Sequence, residues 1–158
     1  MVSEATTATL AGLSVTASFP FYLYGAWIVI DTETVTWSVL LRHLKYIVVG
    51  LVLTTVPVVG WMAPRLMDQF GGLAVLHAVL GLQAYAMLAF ALTGIVRIFQ
   101  AKYTANLYHD PDQDVDLNDL HENMSAWRGR LRVGVFGYVL FWIGAYLIGV
   151  VRYVQLHL

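Results

Sequence analysis

The sequence contains no cysteine among its 158 residues. Disulfides, thiolate metal sites, iron–sulfur clusters and cysteine nucleophiles are therefore all excluded. Charge is also scarce, since only 12% of the residues are charged, against roughly 25% in an ordinary soluble domain. A water-facing surface needs more charge than this, so most of the chain must face lipid.

An excess of basic residues is missing too, because the formal net charge is -1. Nucleic-acid binding requires a clustered basic surface, and we therefore expect no nucleic-acid partner. The apolar stretches hold no paired carboxylates of the kind that proton-coupled transporters use, and no Ser-His-Asp set or phosphate-binding glycine loop is present. A small transporter is thus the least favoured alternative, and we expect no catalytic activity of the chain's own.

Hydrophobic residues make up 59% of the chain, and they cluster in four long stretches. A helix needs about 20 largely apolar residues to cross a bilayer, and residues of about 10–30, 38–62, 72–99 and 129–155 meet that requirement. Pro20 and Pro57 lie inside two of these stretches and are expected to kink them. The sequence predicts one all-α domain, 1–158, an integral membrane four-helix bundle.

Lysine and arginine are distributed unevenly between the two sides of this predicted bundle. Only Arg65 and Arg152 lie on the side that holds the second loop and both termini. The other seven lie on the side of the first and third loops: Arg42, Lys45, Arg97, Lys102, Arg128, Arg130 and Arg132. Cytoplasmic loops carry the basic excess, so both termini are predicted on the non-cytoplasmic side of the cell membrane.

The third loop, residues of about 100–128, is the only sizeable polar segment, and apolar residues at helical spacing between residues 117 and 131 predict an amphipathic helix in it. Aspartates alternate along it at Asp110, Asp112, Asp114 and Asp116. They do not match a calcium-binding loop, because the required glycine position holds Val115. A solvated acidic loop is expected instead, as in a chain adapted to high salt.

Histidines are the most informative residues of the predicted spans, because an ionisable side chain within a membrane is expensive and suggests function. His77 lies shortly inside the third span, on a stripe that continues through Gly81, Ala84 and Ala91. These small residues would let a helix or a flat cofactor approach closely. His43 opens the second span. The alternative for both is that they only form hydrogen bonds between helices.

Haem is the cofactor that these histidines could hold, since neutral imidazole ligates haem iron and helix bundles hold haem between facing helices. His43 and His77 belong to opposite ends of neighbouring antiparallel spans, about 20 Å apart, and cannot share one iron. His121, ahead of the fourth span, is on the same side as His43. We therefore expect His43 and His121 as the ligands of one b-type haem, and His77 as a further cofactor-binding candidate.

The arrangement resembles a family of small four-helix membrane proteins associated with the maturation of haem-copper terminal oxidases. The resemblance is carried by Arg42-His43-Leu44-Lys45-Tyr46 opening a span, by His77 and His121, and by Gly144-Ala145-Tyr146 in the last span. More loosely, the pattern is similar to dihaem b-type cytochromes, although a fourth intramembrane histidine is lacking. The acidic loop resembles that of uncharacterised membrane proteins from salt-loving archaea.

Two functional hypotheses follow. The resemblance implies an accessory or assembly subunit of a respiratory electron-transfer complex, with other membrane subunits as partners, that could bind one b-type haem. The alternative is a non-haem structural membrane subunit whose histidines make only interhelical hydrogen bonds. Small-residue seams on the third and fourth spans motivate the alternative, because they offer close packing to a partner.

Overall fold

The computed structural model describes residues 3–65, 71–110 and 115–157. Within these ranges the chain forms four α-helices: α1, Glu4–Ile30; α2, Trp37–Pro57; α3, Gly72–Thr104; and α4, Met124–His157. A π-helical turn, Val58–Met62, continues α2 directly after Pro57. No strand occurs in the described part of the chain. The predicted all-α class with four helices is confirmed.

Each helix is long and apolar enough to cross a membrane. They contain 27, 26, 33 and 34 residues, counting the π-helical turn with α2, where about 20 suffice. The chain is therefore a multi-pass membrane protein. The helices also extend beyond the predicted spans, because polar ends are stable as helix outside the hydrocarbon. At the start of α1, for example, the Ser3 side chain accepts a hydrogen bond from the Thr6 N–H at 3.1 Å, which caps the helix.

The segment before α4 differs from the predicted amphipathic helix. Turns occupy residues 117–120 and 122–123, and α4 begins only at Met124. The Asp116 carboxylate accepts the Asn118 N–H at 2.8 Å. Such bonds from short polar side chains compete with helix formation, so the apolar spacing did not decide the local structure. Asp112 and Asp114 lie outside the described residues.

The chain divides into two compact units, of which the first comprises Met1–Glu33, Ser38–Ala78 and Ala145–Leu158. Here α1 packs on α2 through small and hydroxylated residues. The Ser14 hydroxyl donates to the Leu53 carbonyl at 2.7 Å, and a Cβ atom on Gly50 would lie 2.9 Å from the Tyr22 ring. Small residues thus allow the close helix contact.

The second unit comprises Thr34–Trp37 and Val79–Gly144, and in it α3 packs closely on α4. Ala91 is completely buried. A Cβ atom on Gly134 would lie 2.6 Å from the backbone nitrogen of Ala91. Gly94 contacts the Trp127 carbonyl, and Gly137 contacts the Met87 side chain. Part of the small-residue seams therefore packs α3 against α4, rather than offering close packing to a partner as the sequence suggested.

An aromatic cluster surrounds Trp37 in the second unit. The ring centroid of Trp37 lies 5.8 to 6.2 Å from the centroids of four other rings, those of Phe99, Tyr103, Tyr108 and His109. The backbone N–H of Trp37 also donates to the Tyr108 carbonyl at 2.9 Å. Burial raises the pKa of the Tyr108 phenol, so this ring stays neutral throughout the physiological range. The cluster ties the start of α2 to the segment that follows α3.

Candidate functional site

A cavity of about 550 Å³ lies in the first unit, where α1 begins and α4 ends. Its lining combines apolar side chains with a set of charged and polar ones. The charged and imidazole side chains are Glu4, Arg65, His77, Arg152 and His157. Among the described lining residues, two guanidinium groups thus stand against one carboxylate. A polar cavity at the end of membrane-spanning helices is a candidate ligand site.

Arg152 and His77 form the central contact of this cavity. Arg152 Nη1 lies 3.1 Å from His77 Nδ1. A guanidinium can only donate, so Nδ1 accepts, and the neutral imidazole carries its proton on Nε2. Gly149 lies one helical turn before Arg152, and a Cβ atom on it would lie 3.1 Å from His77 Cε1. Gly149 therefore provides the space for the imidazole.

Arg65 is the second guanidinium of the cavity, and it lies near the Trp61 ring. Its Cζ atom is 5.0 Å from the ring centroid, within the range of a cation–π contact. The Glu4 carboxylate lies 3.7 Å from Arg65 Nε, with both side chains substantially exposed. Exposed pairs of this kind contribute little to stability, so Glu4 holds Arg65 only weakly.

Two tyrosine hydroxyls complete the polar part of the cavity by linking α1 to α4. Tyr153 bonds to Thr9 at 2.8 Å, and Tyr146 bonds to Thr16 at 3.1 Å. The Trp61 indole nitrogen is buried and has no hydrogen-bond partner among the described residues.

His43 lies outside the cavity and bonds to α1. Its Nδ1 donates to the Gly25 carbonyl at 2.8 Å, because a carbonyl oxygen can only accept. This arrangement leaves the lone pair on Nε2. Metal-binding histidines use the same orientation, in which one ring nitrogen bonds to a carbonyl and the other ligates. The contact of His43 is thus compatible both with helix packing and with haem ligation.

His121 makes different contacts, just before α4. It is exposed, its Nδ1 accepts the Asn123 N–H at 3.0 Å, and its ring centroid lies 4.3 Å from that of Trp127. Because Nδ1 accepts, the proton of the neutral ring is on Nε2. The imidazole in this arrangement has no free lone pair for iron, so His121 does not fit the predicted role of a ligand.

A metal ion bound without haem would need several ligating side chains close together. Across the part of the chain that the structure describes, no group of three or more His, Asp or Glu side chains is placed to hold a metal ion. The structure also places His43 and His77 in the first unit and His121 in the second. His43 and His77 each bond to another helix, whereas His121 bonds to its own segment.

A comparison with protein families matches residues 4–158 to a domain of unknown function, DUF7321. The chain belongs to the DUF7321 family. The matched range includes all four helices and the residues that line the cavity. No curated protein and no solved structure matches the chain.

Sequence reasoning on this DUF7321 chain missed Arg152 and Gly149 as site residues. Arg152 counted only toward the charge asymmetry of the two sides, although an arginine inside a predicted span end is itself a functional signal. Gly149 lies three residues before it, on the same helix face. A small residue one turn from an intramembrane arginine was therefore the pattern that could have revealed the site.

Proposed function

We propose that the chain is an accessory or assembly subunit of a respiratory electron-transfer complex, and that His43 and His77 join helices in it rather than hold haem. One observation carries the helix-joining role of the histidines: both rings form hydrogen bonds through Nδ1 to a different helix. The respiratory setting, with other membrane subunits as partners in a cell membrane, is supported by the resemblance to oxidase-maturation proteins.

Hydrogen bonds of this kind are useful within a membrane. Apolar side chains gain little by leaving lipid for the protein interior, so polar contacts and close packing hold helices together. A single interhelical hydrogen bond contributes about 0.5–1.5 kcal/mol. A histidine that bonds between helices therefore needs no catalytic or cofactor role to explain its presence in a span.

A second candidate function is the binding of one b-type haem at His43. The observation that favours it is the lone pair left on His43 Nε2 by the bond to Gly25. A bound haem would supply one-electron redox chemistry, and His43 would hold it through Nε2. The contacts of His121 do not supply the other ligand, so this candidate stands on one histidine.

The histidine variants separate the two candidates. In the structural role, His43→Ala is expected to lower the free energy of unfolding in mild detergent by about 0.5–1.5 kcal/mol. His43→Gln restores part of that loss, because its amide can still donate. His121→Ala is the comparison variant, and it should lower the stability by less, because the exposed bond of His121 stays within its own segment. Thermal unfolding of the three purified variants measures this.

The haem candidate gives a different result in the same preparations. Protein purified in mild detergent from its native membrane would show a Soret band and, after dithionite reduction, a sharp α-band. His43→Ala and His43→Gln would both abolish these bands. A featureless spectrum combined with partial rescue by glutamine supports the structural role. Bands that vanish in both variants would overturn it.

Co-purification tests the accessory role itself. Under mild solubilisation from the native membrane, we expect the chain to migrate with the subunits of a respiratory complex in native electrophoresis. Migration of the chain alone at the lowest effective detergent concentration would contradict the proposal, whatever the spectrum shows.

We further propose that both termini lie on the non-cytoplasmic side, as supported by the seven-to-two distribution of basic residues. Because the chain has no cysteine, single-cysteine variants can test this directly. A membrane-impermeant maleimide applied to intact cells is expected to label Ser3→Cys and not Val115→Cys. Both positions are exposed, and labelling after lysis serves as the control for reactivity. The reverse pattern would invert the orientation.

A further inference from the structure

We propose that the cavity between α1, α3 and α4 in the first unit binds the anionic phosphate headgroup of a membrane lipid. Arg152 and Arg65 provide the charge for this binding, and the apolar part of the lining holds the acyl chains. The proposal concerns a ligand and does not depend on which complex the chain assists.

Charge complementarity is the first argument. The described lining residues hold the guanidinium groups of Arg65 and Arg152 and only one carboxylate, that of Glu4. Glu4 is loosely placed at 3.7 Å from Arg65 Nε. The imidazole of His77 adds a donor at Nε2, because its Nδ1 accepts from Arg152. A ligand that presents several acceptor oxygens and a negative charge matches this set.

Depth in the membrane is the second argument. With 34 residues, α4 is about 51 Å long at 1.5 Å per residue, whereas the hydrocarbon core is about 30 Å thick. The end of α4 therefore reaches the headgroup layer. Arg152 lies five residues before the end of α4 at His157, and His77 lies five residues after the start of α3 at Gly72. Both side chains are thus about 8 Å from a helix end, within reach of the headgroup layer.

Access from the lipid is the third argument. Three of the cavity's apolar lining residues, Leu13, Val150 and Leu156, are 61%, 43% and 63% exposed. Residues that line the cavity and also lie on the exterior of membrane-spanning helices mark an opening toward lipid. An acyl chain can therefore lie along them while its phosphate reaches the two guanidinium groups. Basic pockets between membrane helices bind anionic lipid headgroups in this manner.

Native mass spectrometry of the delipidated full chain tests the proposal. Three ligands are added separately: phosphatidylglycerol, phosphatidylcholine with the same acyl chains, and inorganic phosphate. We expect at least about fivefold tighter binding of phosphatidylglycerol than of phosphatidylcholine, since one basic residue near the membrane surface contributes about that factor. Arg152→Gln is expected to reduce the preference for phosphatidylglycerol by about fivefold, the contribution of one basic residue.

Three further variants complete the lipid-binding experiment: Arg65→Gln, Arg152→Lys and Arg132→Gln. Arg65 is partly exposed, so its replacement should weaken the lipid preference without affecting folding. Arg152→Lys retains the charge and should retain part of the preference. Arg132→Gln makes the same charge change on an exposed residue of the second unit and should change nothing.

Each other outcome contradicts the proposal. Equal binding of the two lipids, or equal loss in Arg152→Gln and Arg132→Gln, would show that no specific headgroup site exists. Phosphate binding without a lipid preference would indicate a free-anion site instead. Since the readout is lipid binding, it is independent of the spectrum and co-purification that test the proposed function.

Discussion

Gly134→Ala is expected to lower the free energy of unfolding of the chain by about 1–3 kcal/mol, the range for overpacking a close-packed interior. The added Cβ atom would lie 2.6 Å from the nitrogen and 2.7 Å from the Cα atom of Ala91. These are backbone atoms, which cannot rotate away as the end of a side chain can. The two helices must therefore move apart, which also loses the neighbouring contacts of Gly94 and Gly137. Thermal unfolding in mild detergent measures the effect.

Gly81→Ala is the matched control, because it makes the same change on a membrane-spanning helix. A Cβ atom on Gly81 would meet nothing within 4 Å, and alanine is the better helix former by up to about 1 kcal/mol. The control should therefore be neutral or stabilising. If both variants unfold at the same temperature, the close crossing of α3 and α4 at Gly134 is not what stabilises the second unit.

Trp37→Ala is expected to lower the free energy of unfolding by about 2–4 kcal/mol, somewhat below the range of about 3–5 kcal/mol for a fully buried tryptophan. Trp37 is half-buried, and its ring contacts four other rings, from Phe99, Tyr103, Tyr108 and His109. Its removal leaves a gap at the centre of the cluster. The backbone bond from residue 37 to Tyr108 remains possible, so the loss reflects side-chain packing.

Trp27→Ala provides the comparison for Trp37→Ala. Trp27 is 58% exposed, and its removal should change the stability by less than about 1 kcal/mol. Hydrogen exchange adds a local readout: in Trp37→Ala, the amides of residues 105–109 should lose protection, whereas those of α1 should not. Equal destabilisation by both tryptophan variants would show that the cluster has no special role.

The spans could be predicted from the sequence because their cause is local. A run of apolar residues longer than the hydrocarbon thickness becomes a helix in lipid, since each backbone polar group must be bonded within its own segment. The predicted stretches accordingly fall within α1, α3, α4 and the span that α2 forms together with its π-helical turn. The segment before α4 could not be predicted in this way, because bonds from Asp116 and His121 to nearby backbone N–H groups outweigh apolar spacing.

In the candidate site, too, some features of single residues could be predicted from the sequence and others could not. The sequence identified His77 as an unusual residue within a span, and in the structure His77 lines the cavity with Arg152 and Arg65. The sequence did not reveal that Arg152 is the partner of His77, since the two residues are 75 positions apart along the chain. For His43 and His121, spacing suggested a ligand pair, but the hydrogen-bond partner of each ring decides which nitrogen has a lone pair.

The sequence by itself therefore determined the class of the protein, its membrane environment and the number of its helices, since hydropathy acts along a single segment. Only the tertiary structure decided that Gly134 faces Ala91, that Gly149 makes room for His77, and that Arg152 lies in a cavity with Arg65. These contacts depend on which helix faces meet. That choice depends on how side chains from distant parts of the chain fit together, and no local pattern encodes it.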